Sequence, residues 1–589
     1  MNTSNSSVDT LAPESAPTRR EALQWVFGLT TGTALASVAG CGGSFNATAD
    51  TLPDPKVMAS VGGQLSFDLN AQYTSQTLTI GTAKAVYPGD GKKVATALRS
   101  FNGQYMAPTL VLNLGDTLRI KLNNNLPANV SGQSKVSYLN HQNSTNLHFH
   151  GLHVDPREFR PGVFGDYVVD VAEAGVLPGA SRQHEITIPM DHTNGIYWYH
   201  PHLHGSSNVQ VSSGMFGAII IRDPADTFIT SPDIRERVIH VHKVTVNKEG
   251  KTDSFYDSVL SDTSCFLLNG AYQPTIVMRP GEVQNWHFIN TASFYPFNPV
   301  LDDHTLLLYA KDGNVLDRKF RPINLATSGD QGTASAVNNQ KWPGNVMYPG
   351  NRNSVIVKAS DVPGTYYLRS VKAISSDSDE VVARIVVEGF PVSTALPLAA
   401  NLPRYADHLP ITDAELAENG GKQRNLVLAI LSNTDPRLAS PIPDSEGWFI
   451  PLGDGADGMA NTVFASGDAS ASAKLSPFQS SLTATQIVAL NAVEEWTINN
   501  VNGYPHPFHI HVNDSYVVKV NGEAVTPYWA DTLPVPPRGS ITFRMRFTDF
   551  VGEYVWHCHA LDHEDLGMMQ LVKVVAFVPD KADPQGVSA

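Results

Sequence analysis

The sequence has little positive charge, few cysteines and, after its first fifty residues, no long apolar run. Its 41 lysines and arginines are outnumbered by 56 aspartates and glutamates, for a formal net charge of −15. This balance argues against nucleic acid as a partner. Three cysteines in 589 residues are too few for a disulfide framework. Beyond the N-terminal segment, no uninterrupted apolar stretch is long enough to span a bilayer.

The length and the turn-forming residues indicate an all-β protein of several domains. A single hydrophobic core rarely grows past about 250 to 300 residues, so 589 residues predict more than one domain. The 45 glycines and 39 prolines favour many short strands and turns over long helices.

Residues 1–54 are predicted to be an export signal followed by a linker. Arg19 and Arg20 precede a moderately apolar run, a pattern that resembles the bacterial twin-arginine signal. The run ends in VAGCG, which resembles a lipoprotein cleavage box with Cys41 as the lipidated residue. Cleavage nearby without lipid and an uncleaved anchor are the alternatives. We therefore expect an exported protein, in the periplasm or at the cell surface.

The sequence HCHALDHEDLGMM, which begins at His557, combines histidine, cysteine and methionine, all of which can bind a metal. It continues an alternating, β-rich stretch, which predicts a strand. Successive side chains of a strand point to opposite faces, so His557 and His559 face one way and Cys558 the other. A thiolate with imidazoles and a thioether, here His563 and Met568, is the ligand set of a mononuclear blue-copper site. The two flanking histidines are then left for a different metal.

Three further motifs hold histidines separated by one residue. The pairs are His148 and His150 in HFH, His200 and His202 in WYHPH, and His509 and His511 in HPFHIH. Same-face neighbours in a strand lie about 6.6 Å apart, so such a pair can serve two adjacent metal ions. His506 lies an odd number of positions from His509 and faces the other side if the strand extends that far.

In this order, HFHG, WYHPH, HPFHIH and HCHALDHEDLGMM resemble the motifs of the multicopper oxidases, the family of laccases, bilirubin oxidase and cuprous oxidases. The HEDLGMM ending is most similar to the branch of bacterial spore-coat laccase and bilirubin oxidase. The resemblance implies four copper ions and dioxygen as the electron acceptor. It implies His506, Cys558, His563 and Met568 for type 1 copper, His148 and His509 for type 2, and His150, His200, His202, His511, His557 and His559 for the two type 3 coppers.

The chain also contains a threefold internal repeat. GDTLRIKLNNNLP, GEVQNWHFINTA and NAVEEWTINNVN share a turn, an alternating strand and an Asn-rich exit. Later in each unit, NGIYWYHPHLHG, PGTYYLRSVKA and VGEYVWHCHAL share a second pattern. Short alternating strands bounded by turns are typical of Greek-key β-sandwiches. The resemblance implies three cupredoxin-like domains, at about 55–225, 236–395 and 420–578.

The middle repeat lacks the histidines of the other two. YYLR at residues 366–369 aligns with YHPH at residues 199–202, so the metals are predicted to draw only on the first and third domains. The middle domain is then expected to act mainly as a spacer. Residues 441–480, rich in Gly, Ala, Ser and Asp, are predicted to be a loop insertion in the third domain.

Several carboxylates are candidates for a role near the copper sites, including proton delivery. Glu564 matches an acidic residue that assists proton delivery in the spore-coat laccase branch; a surface carboxylate in a turn is the alternative. The family usually has an Asp nine to eleven residues after HxHG, but residues 159–161 contain none, and Asp155 and Asp166 are both candidates to replace it. Asp531, in WADTLP, is predicted to be structural.

The favoured function is a laccase-like oxidase of phenols, aromatic amines or similar organic reductants. Electrons would enter at type 1 copper and pass through Cys558, which is bonded in sequence to both His557 and His559. A metal-ion oxidase for cuprous, ferrous or manganous ions is the alternative. The 11 methionines, spread singly apart from Met568 and Met569, argue against cuprous ions.

Two other possibilities are disfavoured. The family includes an exported scaffold protein without copper, but all ten motif histidines, Cys558 and Met568 are present here. Zinc suits bare histidine pairs, whereas the cysteine-centred pattern favours copper. The other histidines are predicted not to bind copper directly, and His153 and His204 remain candidates to contact a copper ligand. Cys265 is predicted to be a buried small hydrophobe, so no intrachain disulfide is expected.

Overall fold

The computed structural model describes residues 51–82, 85–129, 141–169, 175–245, 264–323, 346–373, 379–405, 408–432, 434–439, 462–470, 474–478, 484 and 486–576. The predicted export segment, with Cys41, and most of the predicted 441–480 insertion lie outside these residues. In the described part of the chain, no helix has both the length and the apolar character needed to cross a membrane.

The first sandwich consists of two sheets that enclose one apolar core. The strands are β1 (Val57–Ala59), β2 (Gln64–Ile80), β3 (Lys92–Phe101), β4 (Thr109–Asn113), β5 (Thr117–Asn124), β6 (His148–His150), β7 (Glu158–Arg160), β8 (Val163–Phe164), β9 (Ser181–Thr187), β10 (Gly195–His200) and β11 (Gly217–Arg222), with helix α1 (Ser207–Ser212) between the last two. The strand orders are β1-β4-β11-β10-β6 and β3-β2-β5-β9-β8-β7.

The second sandwich has the same two-sheet construction. Its strands are β12 (Arg235–Thr245), β13 (Ser264–Leu268), β14 (Ala271–Tyr272), β15 (Thr275–Met278), β16 (Val283–Asn290), β17 (Pro299–Leu301), β18 (Leu306–Lys311), β19 (Asn314–Val315), β20 (Arg321–Pro322), β21 (Arg352–Lys358), β22 (Gly364–Ser370) and β23 (Glu380–Val387). One sheet has the order β14-β13-β12-β16-β21-β18-β19, with β20 paired to β18, and the other has the order β15-β23-β22-β17.

A 3₁₀ turn (Ala399–Asn401) and helix α2 (Asp413–Glu418) lead to the third sandwich. Its elements are β24 (Gln423–Ser432), β25 (Thr462–Asp468), β26 (Gln486–Ala489), β27 (Val493–Asn500), β28 (His506–Ile510), β29 (Ser515–Val520), β30 (Glu523–Ala530), β31 (Thr532–Val535), β32 (Ser540–Arg546), β33 (Gly552–Cys558), α3 (Leu561–Asp565) and β34 (Met569–Val575). The sheets are β25-β24-β27-β32-β29-β30 and β26-β34-β33-β28-β31.

The internal repeat of the sequence falls on equivalent strands of the three sandwiches. The first pattern forms β5, β16 and β27, each of which pairs in parallel with one neighbour and antiparallel with the other. The second pattern forms β10, β22 and β33, each a central strand of the other sheet. The prediction of an all-β fold is therefore confirmed, while the domain boundaries stay predictions.

Strand pairing brings the histidine motifs together two by two. In the first sandwich, β6 and β10 are antiparallel neighbours, with His148 opposite His200. In the third sandwich, β28 and β33 are antiparallel neighbours, with His509 opposite His557. Because side chains of paired strands share the alternation of the sheet, each sandwich presents its histidines from one face.

Candidate metal centres

Cys558, the last residue of β33, faces two imidazoles on the interior of the third sandwich. Its Sγ lies 3.5 Å from Nδ1 of His506, at the start of β28, and 3.5 Å from Nδ1 of His563 in α3. All three side chains are buried. Ligand atoms around a tetrahedral ion with bonds of roughly 2.0 to 2.3 Å lie about 3.3 to 3.7 Å apart. The spacing therefore fits a metal ion between the thiolate and the two imidazoles.

Met568 and Met569 lie in different parts of the interior. Met568 is fully buried in the same apolar cluster as Cys558, and the Cys558 N–H donates to the Met568 carbonyl over 3.0 Å. Met569 packs in a separate cluster with Phe478. This separation supports Met568 as the thioether beside Cys558, as the resemblance implied.

Eight buried imidazoles form a second group, here called the eight-histidine cluster. Its members are His148, His150, His200, His202, His509, His511, His557 and His559. They divide into three overlapping groups, in each of which ring nitrogens lie within 4.8 Å of one another: His150, His200 and His559; His202, His511 and His557; and His148, His150 and His509. The first and third sandwiches each supply four of the eight, as the motif order predicted.

Hydrogen bonds fix the orientation of individual rings in the cluster, most clearly for three of them. In His148, Nδ1 lies 2.9 Å from Asp166; in His200, Nδ1 donates to the Pro201 carbonyl over 2.8 Å; and in His509, Nδ1 donates to the Asp531 carbonyl over 2.8 Å. The Nε2 atom of each ring is buried and has no hydrogen-bond partner among the described residues. A ring anchored by one nitrogen, with the other left bare inside the cluster, is typical of a metal ligand.

The protonation state of the cluster also suits metal binding. Burial, together with repulsion from neighbouring imidazoles, lowers the pKa of His148 and His559 well below the usual range. The same causes lower the pKa of His200 to about 3. These rings are therefore neutral at pH 7, which is the form that ligates a metal. The donor sets fit copper: imidazoles alone in one cluster, and thiolate, imidazole and thioether in the other.

Asp166, rather than Asp155, contacts the cluster. Both carboxylate oxygens of Asp166 lie within 3.0 Å of His148 Nδ1, and Oδ1 accepts the Phe149 N–H. Burial raises the pKa of the Asp166 carboxyl to about 7. Asp155 instead forms an exposed ion pair with Arg157. Of the two candidates the sequence offered, the structure places Asp166 at the cluster, 18 residues after His148.

We expect Asp166→Ala to weaken metal binding at His148. The variant loses the carboxylate that orients this imidazole, a change that typically costs roughly 10- to 100-fold in metal affinity. Copper retained during dialysis against increasing chelator concentrations measures the effect. Asp155→Ala is the matched control and should behave like the parent; equal copper retention in both variants would contradict this assignment.

Glu564 is fully buried, which excludes the alternative of a surface carboxylate. Its oxygens lie 3.2 Å from Nδ1 of His557 and 3.5 Å from Nδ1 of His202. Both rings belong to one group of three, and Nε2 of His202 lies 3.0 Å from Nε2 of His557. Glu564 therefore contacts the outer nitrogen, Nδ1, of both rings, while their inner nitrogens, Nε2, approach each other inside the cluster.

Asp565, which the sequence did not single out, connects the first and third sandwiches. Its buried carboxylate accepts backbone N–H groups of Gly205, Ser207 and Asn208, over 2.8, 3.2 and 2.8 Å, at the start of α1. The carboxylate satisfies helix N–H groups that have no partner within the helix. It also fixes the WYHPHLHG loop against the HEDL segment, and thus one half of the cluster against the other.

Replacement of Asp565 by alanine should lower stability by roughly 1 to 3 kcal/mol, because the N–H groups of Gly205, Ser207 and Asn208 lose their shared acceptor. The readout is the thermal unfolding midpoint, compared with Asp435→Ala, which removes a surface pair with Arg437. If both substitutions lowered the midpoint equally, the buried carboxylate would have no special role.

The second sandwich, which was predicted to act mainly as a spacer, also packs against the eight-histidine cluster. Gly350 lies against the cluster so closely that a Cβ atom there would be 3.0 Å from Cδ2 of His559 and 3.1 Å from Cε1 of His150. The fully buried Arg352 forms a two-pronged ion pair with Asp531 of the third sandwich. Asp531 in turn lies 3.2 Å from Nε2 of His150. Asp531 is thus a neighbour of the cluster, a position that the prediction of a structural residue did not anticipate.

His153, His240 and His242 have partners outside the eight-histidine cluster. His153 lies 3.0 Å from Asp549 and 2.7 Å from the Val512 carbonyl. His240 and His242, on β12, pack against Phe216. Among the described residues, none of these joins a group with metal-binding spacing. Cys265 is buried and free, as predicted, and its Sγ accepts the Gly81 N–H.

Comparison with known proteins agrees with this geometry. Two family models described as multicopper oxidase match residues 82–226 and 458–576. A multicopper oxidase of Staphylococcus haemolyticus is 25% identical over 487 residues, which cover 80% of this chain and 83% of the relative. An iron-transport multicopper oxidase of Saccharomyces cerevisiae is 24% identical over 531 residues, which cover 80% and 74%.

The fold is also shared with solved structures. The crystal structure of a laccase from Pediococcus acidilactici superimposes with a TM-score of 0.61 at 18% sequence identity. The match covers 90% of this chain and 94% of the laccase. The three sandwiches are accordingly cupredoxin-like domains.

Proposed function

We propose that this chain, which belongs to the multicopper oxidase family, oxidises phenols and related aromatic reductants and transfers the electrons to dioxygen. It is an oxidoreductase that uses oxygen as the acceptor. The single observation that carries the proposal is the position of Cys558. Its Sγ faces His506 and His563, while its neighbours in sequence, His557 and His559, belong to two different groups of the eight-histidine cluster.

The proposed ligand sets follow these groups. Type 1 copper would be held by His506, Cys558, His563 and Met568. Type 2 copper would be held by His148 and His509; one type 3 copper by His150, His200 and His559, and the other by His202, His511 and His557. Bound copper supplies the one-electron redox chemistry and the reduction of dioxygen.

The protein residues would provide the route for electrons between the two centres, the groups that transfer protons and the surface that binds the substrate. The backbone around Cys558 gives the shortest covalent connection between the two centres. Glu564, in contact with His557 and His202, is placed to hold and pass protons at the outer nitrogens of these rings. The eight imidazoles are buried, so the surrounding protein excludes bulk water from the cluster.

Aromatic side chains beside His563 favour an organic reductant. Tyr504, which is 37% exposed, has its ring centroid 5.8 Å from that of His563, and Phe294 of the second sandwich lies 5.7 Å away. Asp562 lies 4.0 Å from His563 Nε2, close enough to accept the proton of a phenol bound at this edge. Stacking on Tyr504 and a hydrogen bond to Asp562 would hold such a substrate.

A metal-ion oxidase is the second candidate. The same Asp562 could bind a ferrous or manganous ion, since both prefer oxygen ligands, and the yeast relative is an iron-transport oxidase. Two points oppose this candidate: aromatic rings lie beside the neighbouring His563, and an oxygen-ligated ion needs several carboxylates or carbonyls.

Oxygen uptake by copper-loaded protein distinguishes the candidates. The substrates are 2,6-dimethoxyphenol, Fe(II), Mn(II) and Cu(I), each corrected for autoxidation. We expect rapid oxidation of the phenol, little of the metal ions, and a raised KM for the phenol in Tyr504→Ala. Preference for one metal ion, lost in Asp562→Asn and kept in Tyr504→Ala, would instead identify a metal-ion oxidase.

We also propose that the protein acts outside the cytoplasm. The twin-arginine-like segment supports export, and reporter fusions carrying Arg19→Lys and Arg20→Lys test it by their loss of translocation.

A further inference from the structure

We infer that the second sandwich, which supplies no predicted copper ligand, positions the ligands of the eight-histidine cluster through Arg352 and Asp531. This inference rests on the proposed function, because it assumes that the cluster holds copper. It assigns Arg352 as a positioning residue that acts through another side chain rather than on oxygen or substrate.

Arg352 joins all three sandwiches at one point. Its guanidinium donates to Asp531 Oδ1 over 2.7 Å and to Oδ2 over 2.6 Å, in the third sandwich. Its Nε donates to the Ile196 carbonyl in the first sandwich over 3.2 Å, and another nitrogen donates to its own sandwich at Gly350. The side chain is fully buried. A planar guanidinium with parallel bonds to both carboxylate oxygens fixes the plane of the carboxylate, which a lysine cannot do.

Asp531 transfers this orientation to two ligands. Its Oδ1 lies 3.2 Å from Nε2 of His150, and its backbone carbonyl accepts Nδ1–H of His509. The two rings stack at a centroid distance of 3.9 Å and an angle of 8°. Thr532 completes the arrangement: its hydroxyl donates to Asp531 Oδ1 over 2.8 Å. The Asp531 carboxylate therefore contacts the His150 ring, and the Asp531 backbone carbonyl holds the His509 ring. These neighbouring rings are proposed to bind two different coppers.

The charges around Arg352 are balanced within the protein. Beside Asp531, the Asp312 carboxylate accepts the Arg352 backbone N–H over 2.8 Å and the amide of Asn351. A buried guanidinium near copper ions would repel them, but two carboxylates offset its charge. These two carboxylates thus lie near two buried cations of the second sandwich, Arg352 and Lys311.

Gly350 sets the distance of this approach. Its φ of +90° and the short contacts that a Cβ would make with His150 and His559 leave no room for a side chain. The Gly350 N–H donates to Asn290 of β16, which fixes the turn to the core of its own sandwich. A simple spacer would not require its backbone to touch ligand rings.

The test compares Arg352→Lys with Arg369→Lys. Arg369 is the matched control, since it makes a two-pronged pair with Asp302 in the same sandwich, at its surface. Purified copper-loaded proteins are assayed, without substrate, for blue absorbance, total copper and the type 2 EPR signal. Blue absorbance reports that the Cys558 site is folded in the same sample.

We expect Arg352→Lys to keep its blue colour, to retain copper in the cluster roughly 10- to 100-fold more weakly and to show an altered type 2 EPR signal. Arg369→Lys should match the parent in all three measurements. Copper content and EPR signal equal to the parent in Arg352→Lys, even with a lower unfolding midpoint, would overturn the inference and leave Arg352 a merely structural residue.

Thr532→Val provides a second test of the inference if Arg352→Lys fails to fold. It keeps the side-chain shape and removes the hydroxyl, which donates to Asp531 Oδ1 and also lies 3.2 Å from Nε2 of His150. We expect a blue protein with an altered type 2 signal; an unaltered signal overturns the inference. A parent protein without copper beyond the blue site would refute the proposed function itself, so the two failures are distinguishable.

Discussion

Cys558→Ser should abolish the blue absorbance and reduce oxygen uptake to background while the eight-histidine cluster keeps its copper. The absorbance arises from the thiolate–copper bond, and the hydroxyl of serine neither ionises near pH 7 nor forms an equivalent bond. The variant should therefore hold about three coppers per chain where the parent holds about four. Metal analysis, visible spectroscopy and oxygen uptake on one preparation measure all three effects.

Cys265→Ser is the matched control for this substitution. Cys265 is also buried, in β13 of the second sandwich, and its Sγ accepts a backbone N–H that a serine hydroxyl can also bind. The control should stay blue and active. Blue colour retained in Cys558→Ser, or lost in Cys265→Ser, would mean that the thiolate ligand is wrongly assigned.

Glu564→Gln should slow oxygen reduction by about 100-fold or more without removing copper or blue colour. The amide keeps the shape and a hydrogen-bonding oxygen near His557 and His202 but cannot exchange a proton at neutral pH. Reduction of the blue site by substrate under anaerobic conditions should keep its parental rate, whereas reoxidation after mixing with oxygen should be slow. Stopped-flow absorbance separates the two steps.

The control for Glu564 is Glu553→Gln, on the same strand as Cys558. Glu553 is exposed and pairs with Lys573 at the surface, so both rates should stay parental. Parental reoxidation in Glu564→Gln would contradict its role in proton transfer. Loss of copper from that variant would instead indicate that the carboxylate serves mainly to orient its two histidines.

The grouping of the motif histidines and Cys558 could be predicted because their spacing depends on local geometry. The alternation of a strand places Cys558 on one face and His557 and His559 on the other, and the sequence HCH specifies this directly. His509 and His557 are then brought together by ordinary antiparallel pairing between β28 and β33. The repeat of β-rich segments likewise predicted the sandwiches.

The residues that contact these histidines were harder to predict, because they are distant in sequence and meet the histidines only in the folded protein. Asp166 reaches His148 only after the chain has made an excursion through β7 and β8, so a search at fixed spacing fails. Arg352 and Asp531 are 179 residues apart in sequence. A lone arginine two residues after a glycine carries no recognisable pattern, and its role follows only from the packing of three sandwiches. Asp565 likewise has its partners in another sandwich.

The most direct test of the central claim is the ratio of substrate oxidised to dioxygen consumed, measured with an oxygen electrode and 2,6-dimethoxyphenol, with a parallel assay for hydrogen peroxide. A type 1 site joined to a trinuclear cluster predicts about four one-electron oxidations per dioxygen, with water as the product and no peroxide. About two oxidations per dioxygen, with peroxide accumulating, would contradict the account, because the eight-histidine cluster would then not complete the reduction.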